Sequence, residues 1–504
     1  MSVVAQAVVT TINSPSIAYR LIAPMLAVFG AAVVGVLVEA FVPVRLRRVV
    51  GLAVALIGIF VGLGFVVYLA DERAVVARGA IAVDGPALFL QGAILALAAT
   101  ALLLMGERAH ADESPAASAT LRPPQTETFS LAMFSVGGMM LFVSAQNLIV
   151  MFVALEVLSL PLYLLCGLAR RRRLISQESA LKYFLLGAFS SAFFLYGLAL
   201  LYGYAGSVSL SALYDAASVP GTNDALLYAG LALLAVGLLF KAGAAPFHFW
   251  TPDVYQGAPT AVTALMAACT KVAAFGALLR VVLVPFYALR SDWRPVIGGV
   301  AVLTMVVGAV IAVTQTDVKR MLAYSSVAHA GFILTGVAAS NRAGLKASMF
   351  YLLAYGFTVI GGFAVVTLVR DAGGEATHLS KWQGLGRRSP VVAGLFAFFL
   401  FALAGIPLTS GFTGKFAVFQ AAIEGGATYL VIVGVVCSAI AAFFYARVVV
   451  LMFFQEPVAD GPTVITPPAL TSAALGLAVI VTVVLGVAPQ ILLRVAGSAD
   501  RFIR

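Results

Sequence analysis

Seven side chains stand where an apolar sequence tolerates them least. Glu156 lies inside LIVMFVALEVLSLPLYLL, and Lys182 lies near the start of the next apolar run. Lys241 interrupts LLFKAGAAPFHFW, Lys271 is central in ALMAACTKVAAFGALL, and Lys415 follows GIPLTSGFTG. His248 and His329 have similarly apolar neighbours. An ionisable group inside a membrane costs several kcal/mol unless it faces a partner or a hydrated path. Burial disfavours a lysine's charged form and a nearby carboxylate restores it, so a Lys–Glu pair whose separation changes can bind and release a proton. Histidines titrate near neutral pH and suit the same work. The plain alternative is a structural ion pair that fixes helix packing. One glutamate cannot neutralise four lysines, so the pattern points to proton transfer.

Pro246 and Pro407 strengthen that reading. A proline inside a helix removes a backbone hydrogen bond and clashes with the preceding turn. In lipid, the freed carbonyls must meet water or polar groups, so broken helices occur where they line a cavity. An ordinary kink is the alternative for either proline alone. Each, however, lies within eight residues of a lysine, Lys241 or Lys415.

These groups belong to a chain made for lipid. Hydrophobic residues make up 62% of its 504 positions and charged residues 10%, with a mean hydropathy of +1.05. Soluble proteins carry roughly 25% charged residues. The net charge of +10 does not indicate nucleic acid, because the basic residues sit in short clusters between apolar runs, as RLRR (45–48), RRRR (170–173) and KR (319–320). Cys166, Cys269 and Cys437 lie far apart and lack metal-ligand spacing. No cleavable signal peptide, nucleotide-binding glycine loop or nucleophile elbow is expected.

At about 20 apolar residues per span, the sequence predicts an all-α polytopic membrane protein of fourteen helices. They include helix five at 148–169, six at 176–204, seven at 225–256, eight at 259–288, twelve at 390–424 and fourteen at 468–494. YFLLGAFSSAFFLYGLALL (183–201) resembles FYLLAYGFTVIGGFAVVTL (350–368), and AGAAP (242–246) resembles LAGIP (403–407). The expected organisation is three leading helices and a polar linker (1–127), then a five-helix repeat (128–289). A second repeat (290–455) is inverted because five spans reverse the direction; a loop and the last helix follow (456–504). The lysine and arginine bias places the loops after odd-numbered helices in the cytoplasm and both termini outside. Trp250, Trp293 and Trp382 are expected as interfacial anchors, and Arg280 and Arg447 as chains reaching towards the interface or lipid.

FKAGAAPFHFWTPDVYQGAPTAV (240–262), VKRMLAYSSVAHAGFIL (318–334) and LAGIPLTSGFTGKF (403–416) resemble the hallmarks of the antiporter-like subunits of respiratory complex I. The form FHFWTPDVYQGAP is nearest to the N branch of that family. The L and M branches and Mrp-type antiporters usually carry a second histidine in a Trp-Leu-Pro-x-Ala segment, absent here. The resemblance implies two inverted five-helix repeats, discontinuous helices seven and twelve, and proton translocation along a central polar axis. It implies that Glu156 is the helix-five glutamate, Lys241 its helix-seven partner, Lys271 the central helix-eight lysine and Lys415 the outlet lysine. Lys182 matches a helix-six lysine, and His248 and His329 are possible relays. It further implies no cofactor in this chain, with NADH, FMN, iron–sulfur clusters and quinone on other subunits. The implied partners are L- and M-like antiporter subunits and small membrane subunits, in a bacterial plasma membrane. A stand-alone or Mrp-type sodium/proton antiporter and a structural membrane scaffold are the alternatives.

Overall fold

The computed structural model describes residues 18–107, 126–169, 173–219, 224–371, 374–458 and 461–503. The expected loop charges Arg108, Arg122 and Arg170–Arg172 lie outside them. Six crossings lead: α1 (Tyr19–Phe41), α2 (Val44–Tyr68), α3 (Gly85–Met105), α4 (Thr128–Ser144), α5 (Leu148–Cys166) and α6 (Arg173–Ala205). A short helix α7 (Leu210–Ala217) precedes the seventh crossing, which is two helices, α8 (Asp224–Ala242) and α9 (Trp250–Gly257). The eighth joins α10 (Thr260–Leu265) to α11 (Lys271–Leu283) through one π turn, Met266–Thr270. Then come α12 (Arg290–Thr314), α13 (Val318–Ala338) and α14 (Arg342–Val366). After the one-turn α15 (Leu385–Arg388), the twelfth crossing is again two helices, α16 (Pro390–Ala404) and α17 (Ser410–Glu424). The last elements are α18 (Thr428–Phe454), α19 (Ala469–Val487) and α20 (Gln490–Ser498). Among the described residues, twelve helical segments are long and apolar enough to cross a membrane, and Thr128–Ser144 and Pro390–Ala404 are shorter apolar helices. Together they make the fourteen expected crossings.

Helix fourteen differs from expectation. It stops at Val487, where Pro489 blocks continuation, and Gln490–Ser498 is a separate helix. The tail then returns to the protein: Gln146 Nε2 donates to the Ile503 carbonyl at 3.3 Å.

Loop pairing follows the parity that fourteen crossings demand. The strands β1 (Ala74–Val76) and β2 (Ile81–Val83) form a hairpin after α2, and Ile81 bridges Ala145 after α4. Asn147 bridges Ser209 after α6. On the other face, β3 (Val369–Asp371) pairs with β4 (Gly374–Glu375) and with β5 (Thr463–Val464), and Asp317 bridges His378. Even loops pair with even loops and odd with odd.

The eighth, tenth and eleventh crossings form the centre. Their apolar windows are 100%, 94% and 94% buried, whereas those of α1, α2 and α18 are 33% buried. Lys271, Arg280 and Lys319, on the eighth and tenth crossings, are buried within the protein. The three tryptophans also differ from expectation, because each is buried with a backbone acceptor. Trp250 donates to Phe240, Trp293 to Phe286 and Trp382 to Ala376. They are internal ties.

Candidate functional site

Both broken crossings stop in the same way. Gly243 (φ 70°) and Gly405 (φ 87°) adopt the left-handed conformation that glycine reaches without a Cβ clash. At the first break, Gly243 N–H donates to Phe240 and Ala244 N–H to Leu239. At the second, Gly405 N–H donates to Ala402 and Ile406 N–H to Phe401. This is the Schellman ending, in which the turn satisfies some of the carbonyls that a helix end leaves free. Pro246 and Pro407 lie in the two non-helical gaps that follow.

Lysines take other carbonyls at these breaks. Lys271 Nζ lies 3.4 Å from the carbonyl oxygen of Ala242, the last residue of α8, and 2.7 Å from that of Ser326 on α13. Lys415 Nζ donates to Leu403 at 3.1 Å, Ala404 at 2.8 Å and the Ser438 hydroxyl at 2.9 Å. A helix C-terminus carries partial negative charge, so it stabilises an ammonium without a carboxylate. Both lysines are buried.

Lys241, in the last turn of α8, is also buried but paired differently. Its Nζ donates to the Tyr183 hydroxyl at 3.1 Å and lies 4.9 Å and 5.6 Å from the Tyr183 and Tyr163 ring centres. Both contacts stabilise a cation. Glu156 shares its α5 face with Tyr163, but it makes no ion pair with Lys241 within 4.0 Å. Its Oε1 is buried without a protein hydrogen-bond partner. The expected Glu156–Lys241 pair thus makes no direct ion pair, and the Lys241 ammonium donates to tyrosine instead.

His329 occupies the stretch between the other two lysines. Its Nδ1 is 2.9 Å from the Tyr351 hydroxyl, and its ring lies 4.9 Å from that of Tyr355. Lys271 Nζ faces the same Tyr355 ring at 5.6 Å, and Lys415 Nζ faces Phe332, one turn after His329, at 4.8 Å. Lys271, Tyr355, His329, Phe332 and Lys415 form a continuous internal row. The Glu156 carboxylate, Ser326 and Ser348 hydroxyls, Tyr355 hydroxyl, His248 Nδ1 and Thr251 hydroxyl all have buried polar atoms without a protein partner. Such atoms are ordinarily satisfied by water. His248, in the first gap, touches Phe249 and Tyr324 rings and meets none of the lysines directly.

Lys182 stands apart. Its side chain is 43% exposed and pairs with Glu178 at 2.7 Å and Asp253 at 2.8 Å, while Asp253 also binds Arg320 at 2.6 Å. The structure places it in a peripheral charge network, not among the enclosed lysines. Arg280 is corrected outright: it is fully buried, with Nη1 and Nη2 on the two oxygens of Asp84 at 2.9 and 2.8 Å. Arg447 remains exposed and donates to the Val313 carbonyl. Lys319, counted in sequence as a loop charge, is also buried. Sequence reading missed Tyr183, Tyr351 and Tyr355, whose hydroxyls look like ordinary core. It also missed Asp253, the acidic residue of FHFWTPDVYQGAP. Among the described residues, no group of three or more His, Cys, Asp or Glu is placed to hold a metal ion.

Fourteen crossings, two broken helices and a row of enclosed lysines define an antiporter-like membrane protein. Residues 145–441 match the family described as "NADH:quinone oxidoreductase/Mrp antiporter, TM". The chain is 62% identical to the NADH-quinone oxidoreductase subunit N of Parafrankia sp. (strain EAN1pec), covering 99% of this chain and 98% of that one. It is 60% identical to the corresponding subunit of Rhodococcus opacus (strain B4), with 98% of each covered. A chain of respiratory complex I from Thermus thermophilus superposes with a TM-score of 0.78 at 34% identity, over 94% of this chain and 100% of that one. A chain of the Mrp complex from Dietzia sp. DQ12-45-1b shares the fold, with a TM-score of 0.80 at 24% identity over 96% and 97%. The chain belongs to this antiporter-like family and, within it, to the NADH-quinone oxidoreductase subunit N branch.

Proposed function

We propose that this chain is a proton-translocating membrane-arm subunit of a respiratory NADH:quinone oxidoreductase in a bacterial plasma membrane. The observation that carries this reading is the enclosed row from Lys271 through His329 to Lys415, with each lysine resting on carbonyls of a broken crossing. Burial makes an ammonium costly, while carbonyl and tyrosine contacts restore part of the cost. Small movements at the breaks therefore change proton affinity. Glu156 and Lys241 act at one end, His329 passes protons between Lys271 and Lys415, and Lys415 releases them outward. His248 and Thr251 line the hydrated gap of the seventh crossing. Lys182 sets local charge and lies off the path.

The two working units are residues 128–289 and 290–455, with residues 1–127 and 456–504 flanking them. Their common Schellman endings support this division. Odd loops face the cytoplasm and both termini the outside. Electron transfer and its NADH, FMN, iron–sulfur and quinone sites belong to other subunits, and L- and M-like antiporter subunits are neighbours. The likeness to the Mrp chain concerns the fold. Purification of the tagged chain from membranes should bring NADH-oxidising and iron–sulfur subunits with it. Recovery with Mrp-type subunits instead, or alone from intact complexes, would refute the assignment.

A further inference from the structure

We propose that Lys319 and Glu375 form the cytoplasmic proton inlet leading to Lys271, an inference that rests on the proposed translocation. Lys319 is 2% exposed, and its Nζ donates to the carbonyl of Ala258 at 2.7 Å, just past the end of α9. It thus repeats the arrangement of Lys271 and Lys415, an ammonium resting on the C-terminal end of half of a broken crossing. Glu375 Oε2 is 3.8 Å from this Nζ, and the Glu375 side chain is 25% exposed. The same carboxylate oxygen accepts the Thr260 hydroxyl, on the crossing that carries Lys271. One end of the pair reaches solvent on the odd-loop face, and the other is sealed.

The sealed end points along α13. Lys319, Ser326 and His329 lie seven and three residues apart, so they share one helix face. Ser326 supplies the carbonyl that holds Lys271 and has a buried hydroxyl without a protein partner. Seven residues of helix rise about 10 Å, a gap that needs intervening water, with Leu322 and Ala323 buried beside it. Glu375 takes a proton from cytoplasmic water and gives it to the neutral Lys319 amine. Lys319 gives it in turn, through water at Ser326, to the neutral Lys271 amine, and both donors return to their starting states.

An arginine separates relay from clamp. It keeps the charge and the hydrogen-bond donors, but it does not release its proton at accessible pH. In inverted vesicles, Lys319→Arg and Glu375→Gln should each lower the proton-to-electron ratio several-fold, at unchanged NADH:ferricyanide activity per membrane protein. Lys271→Ala serves as reference. If Lys319→Arg pumps normally while Lys271→Ala does not, Lys319 is only a charge clamp and the inlet is wrong. Normal pumping by Lys271→Ala would instead overturn the wider reading. Should Lys319→Arg fail to assemble, Glu375→Gln decides: normal pumping by that partly exposed variant also overturns the inlet.

Discussion

The Lys415 ammonium donates at 2.8 Å to the carbonyl of Ala404, the last helical residue before the twelfth crossing breaks. Among the described residues, no carboxylate lies within ion-pairing distance of Lys415. Its charge is supported by the end of a helix, which a shift of α16 against α17 can strengthen or weaken. Lys271 has the weaker version of this contact with Ala242, together with a shorter one to Ser326. Such support is adjustable, which a firm buried ion pair is not.

Glu156→Gln tests whether Glu156 acts by charge or by clamping Lys241. Its Oε1 holds no protein partner, so the amide should leave the amount of assembled complex unchanged. NADH-driven proton uptake by inverted vesicles should fall several-fold. Loss of assembled complex with normal pumping by the remainder would mark Glu156 as structural.

Asp84→Asn should do the reverse. The Asp84–Arg280 pair is fully buried and doubly hydrogen-bonded, and Asp84 also accepts the backbone N–H groups of Ala87 and Ile503. Breaking such a pair costs about 3–5 kcal/mol. The expected result is less of this chain in quantitative blots of membranes and a lower unfolding temperature. Protons moved per electron by the surviving complexes should match wild type.

Lys182→Ala should have a small effect. A half-exposed member of a screened charge network contributes about 1 kcal/mol or less. Pumping rates should stay close to wild type, far above those of Lys271→Ala measured in parallel. Equal losses in the two variants would return Lys182 to the relay.

The sequence made the crossings legible because lipid imposes a length and a composition on every span. The breaks were legible because Pro246 and Pro407, in the matching segments AGAAP and LAGIP, interrupt otherwise continuous apolar runs. Lys241, Lys271 and Lys415 stood out because charge is rare there. Whether a charge lies inside or outside depends on what packs around the helix end, which hydropathy does not contain. Lys319 looked like a loop residue and proved buried, whereas Lys182 looked enclosed and proved half-exposed. The partners were least legible of all. Backbone carbonyls are present at every residue, and only the fold decides that those of Ala242, Leu403 and Ala404 meet ammonium groups.

Lys415 gives the sharpest test of whether the enclosed lysines carry protons. Lys415→Ala removes the titrating group, and it leaves behind carbonyls that water can satisfy. The decisive quantity is the proton-to-electron ratio of NADH oxidation in inverted membrane vesicles. NADH:ferricyanide activity serves as the assembly control. A clearly lower ratio at normal ferricyanide activity is expected. A wild-type ratio in assembled Lys415→Ala complexes would contradict proton transfer by Lys415 and reduce it to a packing residue.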